Sequence, residues 1–450
     1  MSRLAIIGLD CADPVLLAEL LPELPTLRRL VDEGSFSRLR SVDPPITIPA
    51  WMSMMTGKDP GELGVYGFRN RKDHTYDGLG IASSASFREE PIWETLGRQG
   101  HRSILLGIPG TFPPRPIAGS LVSGFLAPST EATYTFPASL ASDIKDWVGE
   151  YDLDVRGFRT DDKAWLVDQV RSMTRKRFTV ARRLLERAPW DLFAMVEIGP
   201  DRIHHGLWAH HDASHRKHDP ASPFTGALTD YYRLLDDEIA NLLELLPSST
   251  RVLIVSDHGV QPMEGGIGIN EWLVAEGHLT LKGTIPEGSR MQDLIREGRV
   301  DWSRTIAWGE GGYYGRLFLN LAGREPRGTV PLRDVEEVKS ELASKLESIR
   351  DENGRPIGTR VLRPERVYAR VNGIPPDLIV YFGDLRWRSI GTVGWDRIHF
   401  HENDTGPDDA NHAPFGIYIS SPADETAEDR SILEIRDVVL DHFGTGGRNG

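Results

Sequence analysis

Short apolar runs alternate along the chain with longer stretches whose apolar residues recur every three or four positions. "RLAIIGLD" (3–10) reads as a strand that ends on Asp10. "VLLAELLPELPTLRRLVDEG" (15–34) has helical spacing, broken at its prolines and stopped at Gly34. "PAWMSMMTG" (49–57) reads as a helix with Pro49 in its first turn and Gly57 as its cap. The same logic predicts strands at 102–109, 190–199 and 250–259, a long amphipathic helix at 162–187 and another at 229–246. Strands separated by helices predict an α/β fold, a three-layer αβα sandwich around a mostly parallel sheet. Ligands of such sheets sit outside the carboxyl ends of the strands. Asp10 and Asp257 lie at that end of their strands, and Asp201 follows Gly199 by two residues.

After residue 260 the alternation breaks. "EGGYYGRLFLN", a charged helix at 332–349 and "PPDLIVYF" read as an inserted α+β segment with its own antiparallel part. The expected division is a core of 1–259 and 396–450 and an insertion or cap of 260–395, partly returning to the core. Residues 203–226, "IHHGLWAHHDASHRKHDPASPFTG", read as a long polar loop in which His204, His210, His211, His215 and His218 are mostly solvated. Loops of that length in a compact domain are more often functional than idle.

Composition narrows the class. Hydrophobic residues make up 39% and charged residues 26% of the 450, ordinary for a globular enzyme. A net charge of −14 argues against binding a nucleic-acid polymer by phosphate neutralisation. The apolar run at the N-terminus is too short for a signal segment, and no run is long enough to span a bilayer. The single cysteine, Cys11, forms no intrachain disulfide, so a soluble cytoplasmic protein is expected.

Four segments present metal-type ligands: Asp10, Asp201 with His205, Asp257 with His258, and His412. Asp201 and His205 stand four apart, so on a helix they share one face. Each alone has a bland reading as a cap, a surface pair or a turn. Three Asp and three His together match the N/O ligand set of two zinc-type ions, with Mn or Fe as alternatives. Thr47 precedes Pro49 at a helix start, where a capping hydroxyl and an anion site share one geometry. A threonine needs a base or a metal to become a nucleophile. Against two divalent cations, three carboxylates leave one positive charge in excess, which a threonine alkoxide would cancel.

Taken in order, Asp10, "TIPAW" (47–51), Asp201-x-x-x-His205, "SDHG" (256–259) and His412 resemble the alkaline phosphatase superfamily, specifically its type I phosphodiesterase/nucleotide pyrophosphatase branch. The resemblance frames nearly the whole chain. It implies that Asp10, Asp257 and His258 hold one metal ion, bridged to Thr47, and that Asp201, His205 and His412 hold the other. Thr47 would attack phosphorus in a small-molecule phosphate ester to form a phospho-threonine, which water then hydrolyses.

Two positions depart from the pattern. In "LGVYGFRN" (63–70), Leu63 stands where a His is expected and Phe68 where a phosphate-holding Asn is expected, so Asn70 and Arg69 are the candidate substitutes. Cys11 stands where Gly is expected, as either a small buried residue or an extra ligand. Trp51, Tyr66, Phe68 and "EGGYYG" read as core or as a stacking pocket. Thr47, with Trp51 at the Arg position, argues against a sulfatase, and Thr47 in place of Ser argues against a cofactor-independent phosphoglycerate mutase. A phosphomonoesterase or phosphotransferase on the same site remains the alternative, as does a non-catalytic metal-stabilised binding protein.

Overall fold

A computed structural model describes residues 3–424 and 428–445. These divide into two compact units. The first comprises the described residues of 1–63, 82–260 and 412–450, and the second comprises 64–81 and 261–411. The expected insertion of 260–395 falls almost wholly within the second unit, which also takes in 64–81 and 396–411.

The first unit is built on a nine-stranded sheet, in the order Arg430–Ser431, Ser35–Arg40, Phe415–Ser421, Arg251–Val255, Leu4–Leu9, Leu192–Glu197, Ser103–Leu106, Gly119–Val122 and Thr135–Phe136. Its centre is parallel. Leu4–Leu9 pairs with Arg251–Val255 on one side and with Leu192–Glu197 on the other. All six residues of "LAIIGL" are buried, as are all six of "LFAMVE". A strand buried on both faces has no use for alternation, which explains why these runs are continuously apolar. Phe415–Ser421 is antiparallel to both of its neighbours, so the sheet is mixed towards that edge.

Two groups of helices cover the sheet. Lys163–Arg187, Gly199–His211 and Ala227–Leu243 pack on one another. Thr47–Thr56 and Ile92–Arg98 gather around Ile435–His442. The α/β fold with a mostly parallel central sheet is therefore as the sequence pattern predicts. The break at the prolines is real too. Pro14–Leu20, capped by Asp13, and Pro25–Glu33 are separate helices.

Two local expectations are corrected. The helix expected from Pro49 starts at Thr47, with Pro49 in its third position. Proline is tolerated anywhere in a first turn, because those N–H groups have no intrahelical acceptor. The helix ends as expected, at Gly57 with φ of 67°, whose N–H donates to the Ser53 carbonyl. The second correction concerns the His-rich stretch, which is not a loop throughout. Gly199–His211 is helical, with Pro200 in its first turn and Ile203 and Leu207 buried four apart. Those two apolar residues set a helical stripe that the surrounding histidines obscure. His204 and His215 are buried rather than solvated.

The second unit has its own core. An antiparallel sheet runs Ala307–Glu310, Gly315–Leu319, Leu378–Tyr381, Arg360–Leu362. Trp308, Leu317, Leu378 and Phe382 pack there with Leu342 and Leu346 of the helix Val335–Glu347. Tyr313 and Tyr314 of "EGGYYG" are buried in this unit, as is Tyr66.

Candidate functional site

The first strand delivers Asp10 directly past its last residue, where the Asp10 N–H donates to the Glu197 carbonyl of the neighbouring strand at 3.0 Å. The adjacent strand Arg251–Val255 leads through Ser256 to Asp257 and His258. On the helix Gly199–His211, Asp201 and His205 share a face, and His412 sits on the short strand Ala410–Ala413. All six expose 2% or less of their surface. Asp10, Asp257 and His258 bring three ligand atoms within 4.8 Å of one another, and Asp201, His205 and His412 do the same.

The two groups adjoin. The rings of His258 and His412 stack at 3.8 Å, and His258 Nε2 lies 3.8 Å from Asp10 Oδ1 and 3.2 Å from Asp257 Oδ2. In the other group, Nε2 of His205 and Nε2 of His412 approach to 3.3 Å, and Asp201 Oδ1 lies 3.3 and 3.6 Å from them.

Asp10, Asp201, Asp257 and His258 each have one satisfied side and one bare side. Asp10 Oδ2 accepts the indole N–H of Trp51 at 2.7 Å, Asp257 Oδ1 accepts the Cys11 N–H at 3.2 Å, and Asp201 Oδ2 accepts from Arg202. The Nδ1 atoms of His258 and His412 face the carbonyls of Gly259 and Pro45, at 3.1 and 2.8 Å. These contacts leave Nε2 of each ring free of its proton and turned inward. Asp10 Oδ1, Asp201 Oδ1, Asp257 Oδ2 and His258 Nε2 are buried without hydrogen-bond partners. Orphaned atoms of this kind are costly in a buried site. Four of them converging as acceptors fit cations, and the N/O donor set is that of zinc-type sites.

Electrostatics carry the same mark. Burial, then the neighbouring Asp201 charge, raise the Asp10 carboxyl well above the usual carboxylate range. Burial and Asp10 do the same to Asp257. Asp201 goes the other way: burial opposes its ionisation, but His205 and Arg202 outweigh it and hold the carboxyl well below its ordinary value. Burial lowers His258 to about 4 and His412 well below its ordinary value. The imidazoles of His258 and His412 are thus neutral donors, and a nearby positive charge would favour ionisation of Asp10 and Asp257.

Thr47 is 3% exposed at the first turn of the helix Thr47–Thr56. That turn is anchored from both sides. Trp51, one turn on, reaches Asp10, and the Pro45 carbonyl, two residues before, holds His412. The positive end of the helix therefore lies alongside both ligand groups.

Residues 4–408 match the type I phosphodiesterase / nucleotide pyrophosphatase family. The chain belongs to this family. It is a hydrolase acting on phosphoric esters, and the family is metal-dependent. The fold recurs in the phosphonoacetate hydrolase of Sinorhizobium meliloti in complex with phosphonoacetate, with 15% identity over 99% of this chain and 96% of that one, and a TM-score of 0.63. It recurs in human ectonucleotide pyrophosphatase / phosphodiesterase 5, with 15% identity over 98% and 95% of the two chains and a TM-score of 0.55. An inactive murine form of that protein, in complex with AMP, gives 14% identity over 99% and 95%, with a TM-score of 0.53. No curated protein matches the chain.

Within this family member, the other singled-out residues fall as follows. Cys11 has φ of 66°, the left-handed region that glycine adopts freely, which is why Gly is expected there. Its thiol is spent on the Gly259 carbonyl at 3.4 Å. Asn70 and Arg69 lie in the second unit, on the strand Arg69–Arg71. The Asn70 amide closes its own turn, accepting from Tyr66 N–H and donating to the Gly67 carbonyl. Two residues touch this group in ways the sequence reading missed: Trp51, four residues after Thr47 and read as core or stacking pocket, and Arg202, next to Asp201 and not singled out. Arg202 also pairs with Asp154 through two hydrogen bonds, at 2.7 and 3.0 Å. Only the four-residue step from Thr47 to Trp51 offered a signal. Nothing in the order of residues indicated Asp154 as a partner. Among the described residues no helix is long and apolar enough to cross a membrane.

Proposed function

We propose that the chain is a phosphodiesterase or nucleotide-pyrophosphatase-type hydrolase of a small-molecule phosphate ester, working through two divalent cations and Thr47 as nucleophile. The observation that carries this reading is the convergence of six buried ligand-type side chains, four of them with an orphaned acceptor atom, beside one helix start. Asp10, Asp257 and His258 would hold one cation together with Thr47 Oγ1, and Asp201, His205 and His412 the other. Zinc suits the donor set, with Mn or Fe as substitutes. When bound, the pair of cations supplies Lewis acidity to the hydroxyl and to the phosphoryl oxygens.

The chain's own residues do the rest. Thr47 Oγ1 attacks phosphorus, the P–O bond to the leaving group breaks, and a phospho-threonine ester forms. Water then cleaves that ester and restores the hydroxyl. The first turn of the helix favours the anionic phosphoryl group. Arg202, the guanidinium beside Asp201, is engaged by Asp154 and Asp201. A monoester would want such a positive charge for its extra negative one, so the reading favours diesters over monoesters. The single cysteine suits a reducing compartment, and we place the protein in the cytoplasm. We take the second unit to be the insertion on the catalytic core.

Protein reconstituted with Zn²⁺ or Mn²⁺ is expected to release nitrophenol from bis-p-nitrophenyl phosphate faster than from p-nitrophenyl phosphate. Faster monoester turnover would favour the phosphomonoesterase or phosphotransferase reading. Full metal loading with no turnover of either would favour a binding protein.

A further inference from the structure

Trp51, one turn after Thr47 on the helix Thr47–Thr56, is wholly buried. Its indole lies against the first strand at Gly8. A Cβ on Gly8 would come within 2.4 Å of Trp51 Cη2 and 3.0 Å of Cζ3, so only a glycine admits the ring. Core packing alone explains a large apolar ring there. It does not explain the ring's one polar atom, whose 2.7 Å hydrogen bond goes to Asp10 Oδ2. Asp10 Oδ1, the other oxygen of the same carboxylate, has no partner and points among Asp257 and His258.

We propose that Trp51 is a positioning residue for the metal site of Asp10, Asp257 and His258: its indole N–H holds Asp10 Oδ2 so that Oδ1 is the ligand atom. This rests on the two-cation reading above. A carboxylate at a strand end turns about its own torsions, and both oxygens are equivalent until something distinguishes them. The indole N–H only donates, so it fits an ionised or metal-bound carboxylate and cannot compete as a ligand itself. Hydrogen bonds to the outer atoms of ligands fix orientation, and their loss typically costs about 10–100-fold in metal affinity. The arrangement also links the nucleophile to the metal. Trp51 and Thr47 lie four apart on one helix, so the contact that orients Asp10 also anchors the turn that carries Thr47. The other ligand group has no tie to Trp51. Its acid, Asp201, is held by Arg202.

The test is calorimetric titration of Zn²⁺ into metal-free full-length protein, with apo thermal melting measured in parallel. Two variants are compared: Trp51→Phe, and Trp51 replaced by 3-benzothienylalanine, which keeps the ring shape and puts sulfur in place of N–H. Both variants are expected to weaken one of two zinc-binding steps by about 10–100-fold and to leave the other unchanged. The benzothienyl form is expected to keep the apo melting temperature. Both steps unchanged in the benzothienyl form, or both weakened in parallel with a lowered apo melting temperature, would overturn the assignment. Wild-type protein that takes up no zinc would overturn the two-cation reading, and this one with it.

Discussion

Thr47→Ala is expected to abolish turnover while leaving zinc content and melting behaviour close to those of the parent. Thr47 is buried at the start of a helix whose every residue is buried, and the substitution removes only its hydroxyl and one methyl group, a small change to the packing. The six candidate metal ligands come from four other segments and are expected to keep their mutual contacts. What is lost is the atom that forms the bond to phosphorus. Removing a nucleophile of this kind costs on the order of 10⁴- to 10⁶-fold in kcat. Measuring kcat on a diester, with metal quantified in the same sample, checks the claim. Wild-type protein quenched during turnover is expected to carry phosphate on Thr47, visible by mass spectrometry, and the Ala variant to carry none. A variant within tenfold of wild type would remove Thr47 from the mechanism.

Stripping the protein with a chelator is the second large effect. Activity is expected to vanish and to return with Zn²⁺ or Mn²⁺, and the melting temperature to fall, since a ligand bound only by the folded state stabilises it by mass action. The two sites are expected to respond differently to pH. Asp10 and Asp257 have carboxyls raised well above their ordinary range by burial, so a cation must displace protons there. Asp201 is held well below its ordinary range, with His205 and Arg202 outweighing burial, so it gives up no proton to a cation, and His412, lowered by burial, gives up none either; the positive charge by which His205 acts on Asp201 is lost when its ring binds a cation, so the second site displaces one proton against two at the first. The sign follows directly. Protons compete for the first site as pH falls, so its affinity drops by up to about tenfold per pH unit for each proton displaced. Titrations at pH 8 and pH 6 are expected to separate the two steps, the acid-rich one weakening more. Equal weakening would contradict this assignment of protonation states.

The sheet was legible because its central strands are buried on both faces. "LAIIGL" and "LFAMVE" have no other stable reading than parallel strands, and the acids past their ends mark the side on which ligands gather. The two groups of acids and imidazoles were legible as candidates for a related reason, since such side chains are costly to bury unless something compensates. Less legible was the helix Gly199–His211, where two apolar residues among histidines carried a stripe too thin to stand out. The outer contacts of the ligands were hidden for a different reason. Trp51 looked like core because it is core, and only its hydrogen bond to Asp10 shows a second use. Arg202 is adjacent to Asp201 in sequence, but its partner Asp154 lies 48 residues away. The 64–81 stretch was read with the catalytic core, and its place in the second unit depends on long-range packing that no local pattern carries.

Anomalous diffraction at the zinc edge from zinc-loaded crystals tests the central claim most directly. Two peaks about 4 Å apart are expected. One should lie about 2.0–2.2 Å from Asp10 Oδ1, Asp257 Oδ2 and His258 Nε2, and the other at the same range from Asp201 Oδ1, His205 Nε2 and His412 Nε2. Thr47 Oγ1 should contact the first. A single peak, or two peaks held by other residues, would contradict it.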